Sequence, residues 1–268
     1  MIQLGRHRWM HRVVAALPIY SIAGIVLRRF PLQRRIKPGG LVYRITSLDQ
    51  ISTQAGIFDL NEYESALDGS RIATFIDLGC NAGWFTLWLT AHLPEPPIAG
   101  LLVDAHPFMV SEAEWHLKRN RLQNCVVVHG AVGLAPDQIN TRFHIHPSST
   151  ASSVVSYQPL TQLPVKGRIT DVIVPVVSVS EQWSKHFGAA TVDLMKIDIE
   201  GSELDFVSYE GGFLRERVRR VVLEWHKWCV SLSELDARLA SIGFEQRHTY
   251  DQSPQVGLAV YQNSATLQ

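Results

Sequence analysis

From residue 72 onward, short and almost unbroken apolar runs alternate with segments of helical period, and nothing else in the chain restricts its fold so strongly. The runs are IATFIDL (72–78), IAGLLVD (98–104), NCVVVHGAVG (124–133), VDLMKIDIEG (192–201), RRVVLEWH (219–226) and VGLAVYQ (256–262). Between them lie WFTLWLTAHL, PFMVSEAEWHLKRNRL, a helical stretch near 202–209 and LSELDARLASIG, which ends at glycine. A strand apolar at nearly every position is buried on both faces. Strands of that kind separated by helices predict an α/β fold with a mostly parallel sheet covered by helices on both sides. Residues 141–177 change character. RFHIHP, SSTASSVVSYQPL and DVIVPVVSV read as β segments joined by a Ser/Thr-rich loop.

Ahead of this region, LVYRIT (41–46) reads as a short strand and 48–67 as one or two short helices. The chain therefore divides into a basic, mainly helical N-terminal extension (1–70) and a main domain (71–268). The formal net charge is zero, with 25 basic and 25 acidic residues, but the distribution is uneven. Eight of the basic residues and no acid lie in 1–40, which leaves 17 bases against 25 acids in the body. A body of that sign does not suit a nucleic-acid backbone, whose binding rests on neutralising phosphates. Three cysteines without close spacing argue against a disulfide framework or a zinc site, and for a reducing, cytoplasmic setting. The uncharged run VVAALPIYSIAGIVL (13–27) has arginines on both sides and would span roughly 22 Å as a helix, short of a bilayer core of about 30 Å. A helix packed on the domain, a peripheral membrane contact through residues 1–37, and a span or secretory signal all remain open for it.

The stretch FIDLGCNAGWFTLWL (75–89) carries the first chemical information. A buried strand ends on Asp77, and Gly79 and Gly83 follow before a helix begins. Glycines in such a turn let backbone approach a ligand, and the helix start offers unpaired N–H groups. A dinucleotide loop would read G-x-G-x-x-G; this one is D-x-G-x-N-x-G, with the acid placed first. S-adenosylmethionine, which unites an ammonium, a carboxylate and a sulfonium, fits an acid in that position. The second strand ends on Asp104, followed by Ala105, and an acid at that tip can accept from both ribose hydroxyls.

Together, IDLGCNAG, VDAHP, GAVG, STASSV, VDLMKIDIEGSELDFV and VVLEWH resemble the FkbM family of S-adenosylmethionine-dependent methyltransferases, over roughly residues 70–226. The resemblance implies the class I methyltransferase fold, a Rossmann-like sheet of seven strands with the last antiparallel. It also implies O-methylation of a hydroxyl on a sugar, glycolipid or polyketide-like natural product. It places Asp77, Gly79, Asn81 and Gly83 in the cofactor loop, Asp104 on the ribose, and Ala131 and Val132 against adenine. Relatives often have glutamate where this chain has Asp104, and Thr-Leu-Asp where it has Ser178-Val179-Ser180.

Methyl transfer to an alcohol needs alignment and a group that takes the hydroxyl proton. Lys196, Asp198 and Glu200 alternate along one strand and would share a face, with Glu203 nearby. Three charges on a buried strand are costly unless paired or functional. Asp198 is placed nearest the methyl group and Glu200 as base or hydroxyl acceptor, while Lys196 holds one carboxylate ionised. Glu224 and His226 share a face at the next strand end, and His226 has a suitable intrinsic pKa for a base. His144 and His146 lack a third ligand nearby, so no metal is expected. Two other readings remain: a non-catalytic cofactor- or membrane-binding module, and a methyltransferase acting on an amine or nucleic acid. Intact Asp77, Gly79, Gly83 and Asp104 weigh against the first. The acidic body, and the lack of an Asn/Asp-Pro-Pro-Tyr motif, weigh against the second.

Overall fold

The computed structural model describes residues 25–264 apart from 38, 49, 96–98, 148–150 and 156–167. Most of the 13–27 run and of the basic arm 1–37 thus lies outside the described residues. Among those described, no helix is long and apolar enough to cross a membrane.

The six apolar runs, with one further strand at the sheet edge, form one seven-stranded sheet. It contains β3 (Thr74–Leu78), β4 (Ala99–Asp104), β5 (Cys125–His129), β8 (Leu194–Ile197), β9 (Arg220–His226), β10 (Phe244–Asp251) and β11 (Val256–Asn263). Their spatial order is β10-β11-β9-β8-β3-β4-β5; β11 runs antiparallel to both neighbours, and the pairs from β9 to β5 are parallel. Seven strands with the last one reversed are what the family resemblance implies. The chain reverses direction across the sheet between β3 and β8, which opens a crevice at the carboxyl ends of the strands.

Alternating residues feed two cores. Phe75, Leu102, Leu194 and Val222 face one side, against Trp84, Phe85 and Trp88 of the helix α2 that follows β3 (Trp84–His92). Ile76, Leu101, Met195 and Leu223 face the other, against Trp183, Phe206 and Leu235. Burial on both faces makes these strands continuous apolar runs, and fully burying one such side chain contributes roughly 1.5–3 kcal/mol.

The N-terminal part is not purely helical. A two-stranded antiparallel ribbon of β1 (Leu32–Arg35) and β2 (Val42–Ile45) precedes α1 (Gln50–Gln54), which continues as a wider turn over Ala55–Asp59. β2 is clamped to the helix α3 (Pro107–Arg119) that follows β4. The Arg44 guanidinium donates to both Glu112 oxygens at 2.7 and 2.6 Å and lies 4.2 Å from the Trp115 ring centre. Tyr43, Ile45, Ile57 and Tyr63 enter the same core as Trp84 and Trp88, so the segment before residue 70 shares the sheet's core.

A second ribbon, β6 (Asn140–Ile145) with β7 (Thr170–Pro175), stands apart from the sheet and leads into α4 (Val179–Phe187). Here the departure at Ser178-Val179-Ser180 finds a physical counterpart. Glu210 reaches across to accept from Val179 N at 2.7 Å and Ser178 Oγ at 3.0 Å, placing a carboxylate at the helix start that Ser180 does not supply. Beyond β8 come α5 (Glu203–Tyr209) and α6 (Gly211–Arg217), then α7 (Leu232–Ser241) with a reciprocal Ser231–Glu234 capping box.

Candidate cofactor and acceptor site

The loop from β3 to α2 lies at the carboxyl edge of the sheet. Gly79 has φ 63°, and a Cβ there would stand 1.7 Å from the Asp198 carbonyl oxygen, so only a hydrogen fits between the two loops. Gly83, at φ 77°, opens α2 in the left-handed region that favours glycine. Between them Asn81 also turns left-handed (φ 48°); its N–H donates to Asp104 Oδ2 at 2.7 Å, and its side chain accepts from Ala82 N at 2.8 Å. The other Asp104 oxygen accepts from His106 N at 2.7 Å. Asp104 thus ties the tips of β3 and β4 together. Burial pushes its carboxyl pKa up to about 6 despite the two amide donors. Ala105 O takes a hydrogen bond from His129 Nε2 at 3.1 Å, and the buried Ala131 and Val132 follow β5, with Ala131 N donating to Pro175 O at 2.8 Å.

Asp77 differs from the expectation. Its side chain is 0% exposed: Oδ2 accepts from Thr86 Oγ1 at 2.9 Å, and Oδ1 sits 3.5 Å from Lys196 Nζ. The β3–β8 register sets Asp77 directly beside Lys196, and the first turn of α2 folds over it. It therefore lies under the loop rather than in the crevice. Lys196 carries the connection onward, donating to Gly79 O at 2.8 Å and approaching Asp198 Oδ2 at 3.2 Å. Burial opposes its charge, but Asp198 and Asp77 outweigh that and raise its pKa.

A second cluster of charged side chains forms at the tips of β8 and β9. β8 ends at Ile197, so the strand alternation assumed for Lys196, Asp198 and Glu200 fails after Asp198. Glu200 has φ 52°, and Ser153 of the serine-rich motif holds it by donating to its carbonyl at 2.7 Å. This turn directs Glu200 Oε2 to His226 Nε2, 3.1 Å away, while Glu203 Oε1 meets His226 Nδ1 at 2.8 Å. Burial disfavours an imidazolium, yet two flanking carboxylates hold the His226 pKa well above its usual value. Carboxylates on both sides of the ring favour its charged form, which makes His226 a weaker candidate for the base than Glu200. Burial raises the Glu200 carboxyl, with the imidazolium acting in the opposite direction.

Glu62 is a residue that sequence reasoning missed. It precedes every recognisable motif, yet its charge interacts with Asp198 and Lys196, and burial followed by Asp198 pushes its pKa up to about 7. No periodicity marks it; tertiary contact alone brings it to the site. His144 pairs with Asp171 at 2.8 Å on the β6–β7 ribbon.

A strand order of this kind, with a glycine loop and a tip carboxylate at its carboxyl edge, suits a nucleoside ligand. A family model described as the methyltransferase FkbM domain matches residues 80–246, more than half of the chain. The protein is an S-adenosylmethionine-dependent methyltransferase. The chain belongs to the FkbM methyltransferase domain family. Among solved structures, it is similar to the human methyltransferase 10 domain containing protein, at 14% identity and TM-score 0.49, over 95% of this chain and 97% of that one. The FkbM methyltransferase of Methylobacillus flagellatus is similar at 14% identity and TM-score 0.47, over 71% of this chain and 43% of that one. M. capricolum TrmK, solved with S-adenosyl-homocysteine, is similar at 8% identity and TM-score 0.47, over 77% and 68%. No curated protein matches the chain.

Proposed function

We propose that the enzyme methylates a hydroxyl group of a sugar, glycolipid or polyketide-like natural product, with the acceptor seated at the tips of β8 and β9. The observation that carries this reading is the Glu200–His226–Glu203 chain beside Asp198, a built proton-handling array where an acceptor would enter. S-adenosylmethionine supplies an electrophilic methyl on sulfur. Asp104 takes the ribose hydroxyls, the Gly79–Gly83 loop leaves room for the amino-acid tail, and Ala131 and Val132 offer an apolar wall to adenine. Asp198, 3.2 Å from Lys196, orients the attacking oxygen. Bound S-adenosylmethionine would supply the methyl group, and Glu200, whose conjugate acid the neighbouring site tolerates, would take the proton released by the acceptor hydroxyl.

Two measurements test the assignment. Asp198→Asn and Glu200→Gln should each lower kcat by about a hundredfold or more in transfer of labelled methyl to glycolipid and polysaccharide fractions, with cofactor affinity within about twofold of wild type. Full activity in both would place the base elsewhere.

Cofactor affinity also has a pH signature. Ribose hydroxyls bind the ionised form of Asp104, so binding lowers its pKa from about 6. Affinity should be level above that pH and fall by up to about tenfold per unit below it, as protonation competes with the sugar. Asp104→Asn should weaken binding by about tenfold, roughly 1.4 kcal/mol, and flatten the profile. A calorimetric pH series that stays parallel to wild type would remove the ribose assignment.

A further inference from the structure

One donor atom each from Asp198, Glu224 and His226 lies within 4.8 Å of the others. The parallel register that pairs Ile197 with Leu223 continues to set Asp198 beside Glu224, and Glu224 and His226 alternate onto one face of β9. Two donors each about 2.1 Å from a single ion stand about 3–4.2 Å apart, so this group closes on one ion with a shift below about 1 Å.

Two further observations separate this group from an ordinary acidic cluster. Glu203 is 0% exposed and accepts from His226 Nδ1 at 2.8 Å and from Gly201 N at 3.0 Å, which fixes the ring with Nε2 toward the carboxylates. A carboxylate behind an imidazole is the arrangement that orients metal-binding histidines. Asp198 uses Oδ2 for Lys196, while its Oδ1 is buried and has no hydrogen-bond partner. A buried, unsatisfied carboxylate oxygen is expensive unless something cationic completes it.

We propose that Asp198, Glu224 and His226 form a divalent-cation site in the acceptor pocket, suited to a first-row ion such as Mn2+ or Zn2+. The inference rests on the acceptor-site reading above and deepens it. Mixed imidazole and carboxylate donors favour such ions over Ca2+. The ion occupies the Nε2 side of the ring, which faces Glu200 Oε2 at 3.1 Å. Three protein donors leave coordination positions open for the acceptor oxygen, and a bound hydroxyl loses its proton more readily. The sequence reading expected no metal because it looked for a third ligand beside His144 and His146, whereas this set spans two strands.

The test titrates MnCl2, and separately ZnCl2, into the full-length protein saturated with S-adenosyl-homocysteine, whose neutral sulfur brings no competing cation to the pocket. Calorimetry and the Mn2+ electron paramagnetic resonance signal report binding. We expect one ion per chain, weakened at least tenfold by Glu224→Gln and by His226→Gln and unchanged by Asp171→Asn on the outlying ribbon. Retained S-adenosyl-homocysteine affinity shows that each variant is folded. No binding of either ion up to about 1 mM, far weaker than ordinary sensor-type sites, would overturn the proposal, as would binding that ignores Glu224→Gln. Methyl transfer to a hydroxyl that proceeds undiminished in EDTA would also remove the metal while leaving the hydroxyl assignment standing.

Discussion

Gly79→Ala should abolish measurable S-adenosylmethionine binding and methyl transfer together. A Cβ at this position would lie 1.7 Å from the Asp198 carbonyl oxygen and 2.8 Å from its carbon, and φ is 63°. The obstructing atoms belong to backbone, so no side chain can rotate away. The left-handed conformation alone costs a non-glycine residue roughly 1–2 kcal/mol. Relief of the clash must separate the loop after β3 from the loop after β8, which between them frame the cofactor crevice and carry Asp198. We expect at least a hundredfold loss of affinity, about 2.8 kcal/mol, by calorimetry, together with a lower melting temperature. Gly212→Ala is the control. It lies in α6, a Cβ there would meet nothing within 4 Å, and its backbone is not left-handed. That substitution should leave binding intact and stability equal or slightly higher, because it restricts the unfolded chain. Equal behaviour of the two variants would refute the close-contact explanation.

Lys196→Met should cost about 3–5 kcal/mol of stability at neutral pH, because removing one partner strands a buried charge. Lys196 is 4% exposed and Asp77 0% exposed, and the lysine also satisfies the carbonyls of Leu78 and Gly79. The loss has a defined pH dependence. Burial already raises the Asp77 pKa, with Lys196 and Thr86 acting in the opposite direction, so removing the lysine raises it further. A carboxyl whose folded pKa exceeds its unfolded value destabilises above that folded value and ceases to do so once protonated. The deficit of Lys196→Met should therefore shrink as pH falls from 8 toward about 5 in urea denaturation. Adding Asp77→Asn should recover much of the loss at neutral pH. A deficit independent of pH, unrelieved in the double variant, would mean that lost packing rather than stranded charge governs the effect.

The legibility of the sequence followed burial. Strands β3, β4, β8 and β9 were readable because both of their faces are covered. β10 was not: FEQRHTYD is exposed along most of its length at the sheet edge, so no apolar pattern reports it. Helix α4, short and largely polar, passed unread for a related reason. At the site, Asp104 and the glycines were legible because a turn at a strand tip demands particular residue types. Glu200 was given the wrong geometry, because strand alternation was carried past the point where β8 stops. His226 was read from its intrinsic pKa, without the two carboxylates that flank its ring.

The residues alone determined the sheet class and the glycine turn and carboxylate at its carboxyl edge, because local periodicity and turn chemistry act over a few positions. Tertiary structure decided which charges meet. It sank Asp77 beneath the loop, brought Glu62 from outside every motif, and set Asp198 beside Glu224 across two strands. Such pairings depend on register and crossover, and contacts between residues 26 to 136 positions apart leave no periodic trace in the chain.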